Sequence, residues 1–145
     1  MKKILIPVAL LLATITAVTS CKKDDSAKST HDKFIGTWKS YQHGVDSNNN
    51  GVWDANEKAN DTGSDISTLV FKSDGSGSAA GDFGGTPITL PFTWNLQNNN
   101  NDLRMITSFI GTDTTIQNIV TITDNSLVLK DPSKSPVAFQ SLNKQ

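Results

Sequence analysis

The sequence predicts an all-β protein whose strands form an antiparallel meander and close into a small barrel. Apolar and polar residues alternate strictly from Phe92 to Gln97, which is the period of a half-buried strand. Polar turns such as Asp74-Gly75 and Asp124-Asn125 join neighbouring apolar runs. No stretch after the first twenty residues has a convincing helical period. Because a long meander leaves exposed edges, closure into a barrel is the expected arrangement.

Each strand is placed by its own apolar pattern. Leu69 and Phe71 alternate ahead of the Asp74-Gly75 turn, and Leu127 and Leu129 alternate after a second turn. The same reasoning along the chain gives about eight short strands, at residues 34–44, 67–72, 76–82, 87–97, 102–108, 115–123, 126–131 and 136–142. Short loops between successive strands favour antiparallel neighbours.

The amino-terminal residues 1–20 have the pattern of a signal peptide. Lys2 and Lys3 precede an apolar run at 4–18, and this run is shorter than the roughly twenty residues that span a bilayer. The Val-Thr-Ser-Cys sequence that ends at Cys21 resembles the lipobox of bacterial lipoproteins. That resemblance implies cleavage before Cys21, covalent lipid on this residue, and an anchor in the membrane. Two or three acyl chains hold a protein where a single chain does not.

Residues 21–32 are expected to form the lipidated cysteine and a flexible tether, followed by one domain at 33–145. The charged run at 22–25 is similar to export signals that some Gram-negative lipoproteins use to reach the cell surface. The expected location is the outer membrane. The sequence leaves open whether the protein faces the periplasm or the cell surface.

The composition excludes several classes of function. Arg104 is the only arginine and no basic patch exists, so nucleic acid is not an expected partner. Cys21 is the only cysteine, so no disulfide forms within the chain. Of the two histidines, His31 falls in the tether and is expected to be solvated, and His43 is expected to be an exposed strand-end residue. With no serine elbow and no Cys/His cluster, we expect the protein not to be an enzyme.

An acidic loop at 46–57 fits the twelve-residue pattern of calcium-binding loops. Gly51 stands at the sixth position, where that pattern requires a sharp turn. The predicted ligands are six oxygen donors, at Asp46, Asn48, Asn50, Val52, Asp54 and Glu57. The loop therefore predicts a structural Ca²⁺ site with a weak dissociation constant of roughly 10⁻⁴ to 10⁻³ M. The alternative is a polar loop in which Asn and Asp serve as turn formers.

Several segments resemble lipocalins. Gly36-Thr37-Trp38 is similar to the Gly-x-Trp motif that opens that family, and residues 68–77, 92–96 and 126–131 resemble segments of small bacterial lipocalin-like lipoproteins. The resemblance implies that Trp38 plugs one end of the barrel and that Gly36 permits a close chain approach. Lipocalins usually stack an arginine from a late strand on this tryptophan. Here Arg104 lies mid-chain, which departs from that pattern.

These features predict a membrane-anchored, lipocalin-like lipoprotein with a binding role, holding a small apolar ligand. The alternative is an interaction module with a filled barrel that binds a protein or glycan partner. Trp53 either anchors the acidic loop or contacts such a partner. Small or polar residues facing inward would indicate room for a ligand. A filled interior would be indicated if four aromatic side chains all pointed inward, those of Phe71, Phe92, Trp94 and Phe139.

Overall fold

The computed structural model describes residues 27–108 and 111–145 of the 145-residue chain. The predicted signal peptide and the predicted lipidation site at Cys21 lie outside the described residues. Among the helices that are described, none has both the length and the apolar character needed to cross a membrane.

The described part of the chain contains one short helix and nine strands. The helix α1 spans Thr30–Phe34. The strands are β1 (Gly36–Val45), β2 (Lys58–Asn60), β3 (Thr68–Phe71), β4 (Ser76–Phe83), β5 (Thr86–Gln97), β6 (Asp102–Thr107), β7 (Asp113–Ile122), β8 (Ser126–Asp131) and β9 (Ala138–Lys144). Two single turns of 3₁₀ helix, at Ala55–Glu57 and Gly63–Asp65, interrupt the loops on either side of β2.

The strands form one closed antiparallel barrel. β1 pairs with β3, each later strand pairs with the next, and β9 pairs back with β1, so eight strands close the wall. This confirms the predicted fold class. The ninth strand, β2, pairs with residues 42–44 of β1 next to the end of β3. It adds hydrogen bonds to a part of β1 that extends past its partner in the barrel.

The amino-terminal boundary of the domain differs from the prediction. Phe34 was assigned to a first strand, and residues 30–32 to the tether, but both belong to α1. Ser29 caps this helix, because its Oγ accepts the backbone N–H of Asp32 at 3.1 Å. His31, expected to be solvated, stacks on Trp94 with ring centroids 5.0 Å apart. The helix thus covers one end of the barrel, which we call the closed end.

The apolar core fills the closed end. Phe34 and Trp38 are fully buried there. Around Phe71 the rings of Phe34, Phe92 and Trp94 make edge-to-face contacts, with centroids 5.2–5.5 Å apart. Such pairs each stabilise a core by about 0.5–1.5 kcal/mol beyond the area they bury. The opposite end of the barrel, where β1 ends and β9 begins, is the open end.

Phe139 does not face inward with Phe71, Phe92 and Trp94, so the condition set for a filled interior is not met. In β9, Phe139 pairs with Lys130, while its neighbour Gln140 pairs with the core residue Leu129. Successive residues of a strand face opposite sides, so Phe139 lies on the outer face of the barrel. It is buried there because the ring of Trp53 stacks on it, 5.4 Å between centroids and nearly parallel. Trp53 therefore anchors the acidic loop.

Candidate ligand site and acidic loop

Trp38 seals the closed end from within. Its indole N–H donates to the carbonyl of Phe34 at 2.7 Å, which ties the first strand to the helix. Lys144 of β9 lies over the indole, with Nζ 5.2 Å from the ring centroid, and donates to the carbonyl of Lys33 at 2.8 Å. A lysine from the last strand therefore lies on this tryptophan. Burial lowers the pKa of Lys144, and the nearby charge of Lys28 lowers it further.

Gly36 makes room for this lysine. The residue has a φ of 132°, and a Cβ built on it would lie 2.7 Å from Cε of Lys144. A side chain at this position would therefore push the lysine off the tryptophan. The Gly-x-Trp segment thus lies at the closed end beside the tryptophan it precedes.

A bulge in β1 determines what faces the open end. Ser40 pairs with Leu142 but Gln42 pairs with Ser141, so Tyr41 is an extra residue and the alternation shifts by one. After the bulge, His43 pairs with Gln140, whose other neighbour in the sheet is the core residue Leu129. His43 and Gln140 therefore face the barrel interior.

Two side-chain pairs form a polar cluster beside these inward residues. Nδ1 of His43 lies 2.5 Å from Oδ1 of Asp61, and Nε2 of Gln140 donates to Oγ of Ser67 at 2.9 Å. The Asp61 side chain is 1 % exposed, and its Oδ2 has no hydrogen-bond partner among the described residues. An oxygen buried without a donor is costly, so this carboxylate has unused capacity to accept a hydrogen bond.

The rest of the open end is lined by small and aliphatic side chains. The register of β4 and β5 places Gly81, Ile88 and Leu90 on the same face as the core residue Phe92. A Cβ built on Gly81 would meet nothing closer than the carbonyl of Ile66, at 4.0 Å. The packed aromatic core therefore does not extend to this end of the barrel.

The open end communicates with solvent. Val45 at the rim is 40 % exposed, and the His43 side chain is half exposed although it faces inward. A cleft of about 590 Å³ also lies between the start of β7 and the loop after β8. It forms because β7 extends to Asp113 while its pairing with β8 begins only at Asn118. The barrel thus has a packed half and an accessible half.

The acidic loop at 46–57 is held closed by its own carboxylates. Asp46 is 2 % exposed and accepts the backbone N–H groups of Asn50 and Gly51, at 3.0 and 2.8 Å. Oδ2 of Asp54 accepts the amide N–H groups of Asn48 and Asn50, at 3.1 and 2.9 Å. Gly51 has a φ of 82°, so the loop makes the left-handed turn required at the sixth position of the calcium pattern.

The donor set of this loop suits a hard cation in part. Asp46 is a buried carboxylate, and no Lys, Arg or His pairs with it within residues 27–108 and 111–145. In the same ranges no three Asp, Glu, His or Cys side chains cluster closely enough to hold a metal by themselves. Asn48, Asn50 and the Val52 carbonyl would therefore have to complete any coordination sphere, as the calcium pattern requires.

The fold and these sites define a small closed β-barrel with one packed and one accessible end. The chain is similar in structure to a bovine odorant-binding protein, a deswapped triple mutant, at 12 % identity and a TM-score of 0.43, covering 78 % of this chain and 74 % of that one. It is also similar to a mutant of the fluorescent protein UnaG, at 16 % identity and a TM-score of 0.39, covering 79 % and 97 %. No protein-family model and no curated protein matches the sequence. The description of the class therefore rests on the barrel itself.

Sequence reasoning missed the polar cluster. His43 and Asp61 are eighteen positions apart, and the pairing of β1 with β2 brings them together. The signal in the sequence is slight, because β2 contains no apolar residue larger than Ala59. Nothing in the sequence marks Gln140 as a site residue. It faces inward because it alternates in β9 with Phe139, which faces outward.

Proposed function

We propose that the protein is a membrane-anchored lipoprotein that binds a small, mainly apolar ligand in the open end of its barrel. One observation carries this proposal: the aromatic core fills only the closed end, while inward residues at the other end are small, aliphatic or half exposed. Small-molecule sites are concave and mostly apolar, with a few polar groups that fix orientation. The accessible half of this barrel has that composition.

The lining suggests which ligand would fit. Ile88 and Leu90 would contact an apolar body. The polar cluster lies on the β1–β9 side and offers a buried acceptor at Asp61 together with the half-exposed His43. A ligand with one hydroxyl or amine group could satisfy this carboxylate. Discrimination against an analogue that lacks this donor would follow, because the carboxylate oxygen would then stay unpaired.

Anchoring through lipid on Cys21 would direct the open end away from the membrane. The chain reaches the barrel at the closed end, where Nζ of Lys28 lies 3.4 Å from Asp124 in the turn between β7 and β8. An anchor attached upstream would leave the mouth of the barrel facing outward. Metabolic labelling with palmitate should mark the wild-type protein and leave Cys21→Ser unmarked. An unlabelled wild-type product would contradict the anchor.

The acidic loop would hold Ca²⁺ as a structural ion in this proposal. Asp46, Asn48, Asn50, Asp54 and Glu57 would supply side-chain oxygens, and Val52 its carbonyl. The ion would supply positive charge next to the buried Asp46 carboxylate. Its role would be to fix the loop on the outside of the barrel, where Trp53 is stacked.

A glycine substitution tests the ligand site directly. Gly81→Phe should place a ring in the open end, because a Cβ at this position meets nothing closer than the Ile66 carbonyl, at 4.0 Å. The uncharged fluorescent probe N-phenylnaphthylamine should then bind at least about tenfold more weakly, a loss of about 1.4 kcal/mol. Thr89→Phe, on the exposed outer face of β5, is the matched control and should bind the probe as the wild type does.

Equal binding of the probe by Gly81→Phe and the wild type would contradict a ligand site in the barrel. That result would favour the alternative function, an interaction module that binds a protein or glycan through its outer surface.

A further inference from the structure

A second recess lies on the outside of the barrel, separate from the open end. It has a volume of about 580 Å³ and runs between the acidic loop and the outer faces of β9, β8 and β7. Trp53 and Phe139 line it, together with the aliphatic side chains of Val52, Val120 and Val128. Val52 and Val120 are more than half exposed. This outer groove is large enough for a small organic molecule.

Two lysines flank the aromatic rings of the outer groove. Nζ of Lys58 lies 5.1 Å from the centroid of Trp53, and Nζ of Lys130 lies 5.7 Å from that of Phe139. Since Trp53 also stacks on Phe139, cation and ring contacts continue from one lysine to the other. The rings hold both ammonium groups near the groove by cation–π attraction.

The charge around the outer groove is of one sign. Lys58 and Lys130 line it and no carboxylate does. Within residues 27–108 and 111–145, neither lysine is in an ion pair with Asp or Glu. An apolar recess with two unneutralised ammonium groups complements a molecule that has an apolar body and a negative group.

We propose that the outer groove binds a small aromatic amphiphile with one anionic group, a carboxylate or sulfonate. Its ring system would lie against Trp53 and the valines, and the anion would contact Lys58 and Lys130. This site is independent of the ligand proposed for the barrel interior, because Phe139 and Val128 face outward while Gln140 and Leu129 of the same strands face inward.

Anilinonaphthalene sulfonate and the uncharged N-phenylnaphthylamine, which differ by one sulfonate group, test the proposal. The double variant Lys58→Gln/Lys130→Gln should bind the sulfonate about tenfold more weakly. Its affinity for the uncharged probe should not change. Lys39→Gln/Lys134→Gln, which removes the same charge from other surfaces, is the control and should leave both affinities unchanged. Gly81→Phe should keep the sulfonate affinity of the wild type.

Three results would overturn the proposal. The sulfonate affinity of the Lys58/Lys130 variant could equal that of the control, or Gly81→Phe could abolish sulfonate binding, which would assign the probe to the barrel interior. In the third result, the unlipidated wild type would sediment with vesicles of anionic lipid and the Lys58/Lys130 variant would not, although both would bind the sulfonate equally well. That would assign the lysines to a membrane surface.

Discussion

Glu57 fastens the acidic loop at the scale of a single residue. Its Oε1 accepts the backbone N–H and the hydroxyl of Ser47, each at 2.8 Å, and the N–H of Asn48 at 3.3 Å, while Oε2 accepts the N–H of Asp54 at 3.1 Å. Burial opposes ionisation of this carboxyl and is the largest single influence. The four donors together outweigh it, so the pKa of Glu57 is lowered below its ordinary value.

The lowered pKa predicts how stability depends on pH. A carboxyl whose pKa is depressed by folding stabilises the folded state above its unfolded pKa, and this contribution is lost as the pH falls through the folded value. The stability difference between the wild type and Glu57→Gln, measured by urea unfolding, should therefore be larger at pH 7 than at about pH 3. Asp65→Asn, at an exposed residue, is the control. A difference that does not change with pH would show that the charge of Glu57 has no part in holding the loop.

Calcium binding makes a second prediction at the residue scale. Millimolar Ca²⁺ should raise the melting temperature of the wild type, because an ion that binds only the folded loop stabilises it by mass action. The double variant Asp46→Ala/Glu57→Ala should show no such gain. Differential scanning fluorimetry measures the shift, with magnesium as the comparison ion. If titration calorimetry detects no heat of Ca²⁺ binding and the melting temperature does not change, the loop does not bind Ca²⁺.

Individual side-chain contacts of this kind could be predicted from the sequence only in part. The spacing from Asp46 to Glu57 predicts a loop whose oxygens converge on an ion, and in the structure both carboxylates accept backbone N–H groups of the loop. No spacing rule joins His43 to Asp61, because the contact depends on a bulge at Tyr41 and on a strand of three residues. Lys144 likewise reaches Trp38 only because the last strand closes the barrel.

At the scale of the element, the acidic loop packs against β1 at a glycine, where no side chain is in its way. Gly44 of β1 lies under the loop, and a Cβ there would collide with the carbonyl of Glu57 and lie 2.6 Å from the indole nitrogen of Trp53. That nitrogen also donates to the Glu57 carbonyl at 3.3 Å. The outer groove thus depends on a glycine that no motif in the sequence singled out.

Gly44→Ala should therefore lift the loop from the barrel. We expect a loss of stability of about 1–3 kcal/mol, since the clash involves backbone that cannot rotate away. Gly81→Ala is the matched control, because it also adds a methyl group to a strand glycine but in open space, and it should change stability little. Chemical denaturation of both variants gives the comparison. Equal stability of the two would show that the loop does not rest on Gly44.

Element prediction succeeded where alternation was strong and failed where elements were short. The predicted bounds of β5 and β8 lie within one residue of the observed ones, because residues 92–97 alternate strictly and Leu127 and Leu129 follow a turn signal. The helix α1 has five residues, too few to show a helical period, and β2 has three. Such short elements are stabilised by contacts with the rest of the barrel. The local sequence pattern does not show these contacts.

At the scale of the whole molecule, the barrel divides into two halves with different packing. At the closed end, α1, Trp38 and the aromatic cluster exclude water. At the open end, the rim is exposed and β7 separates from β8. The closed barrel follows from the alternation of apolar residues, and the sequence predicted it. Which end holds the aromatic core was not predictable, because register shifts in β1, between Ser40 and Gln42, and in β7, between Ile119 and Thr121, decide which side chains turn inward.

Native mass spectrometry of the delipidated protein, purified from its host membrane, tests the ligand-binding account most directly. The account predicts a small molecule in the wild type and in Thr89→Phe that Gly81→Phe lacks, while an anionic molecule in the outer groove would remain in all three. A wild-type mass equal to that of the bare chain, or equal occupancy by an uncharged molecule in Gly81→Phe and the wild type, would contradict a ligand site in the open end of the barrel.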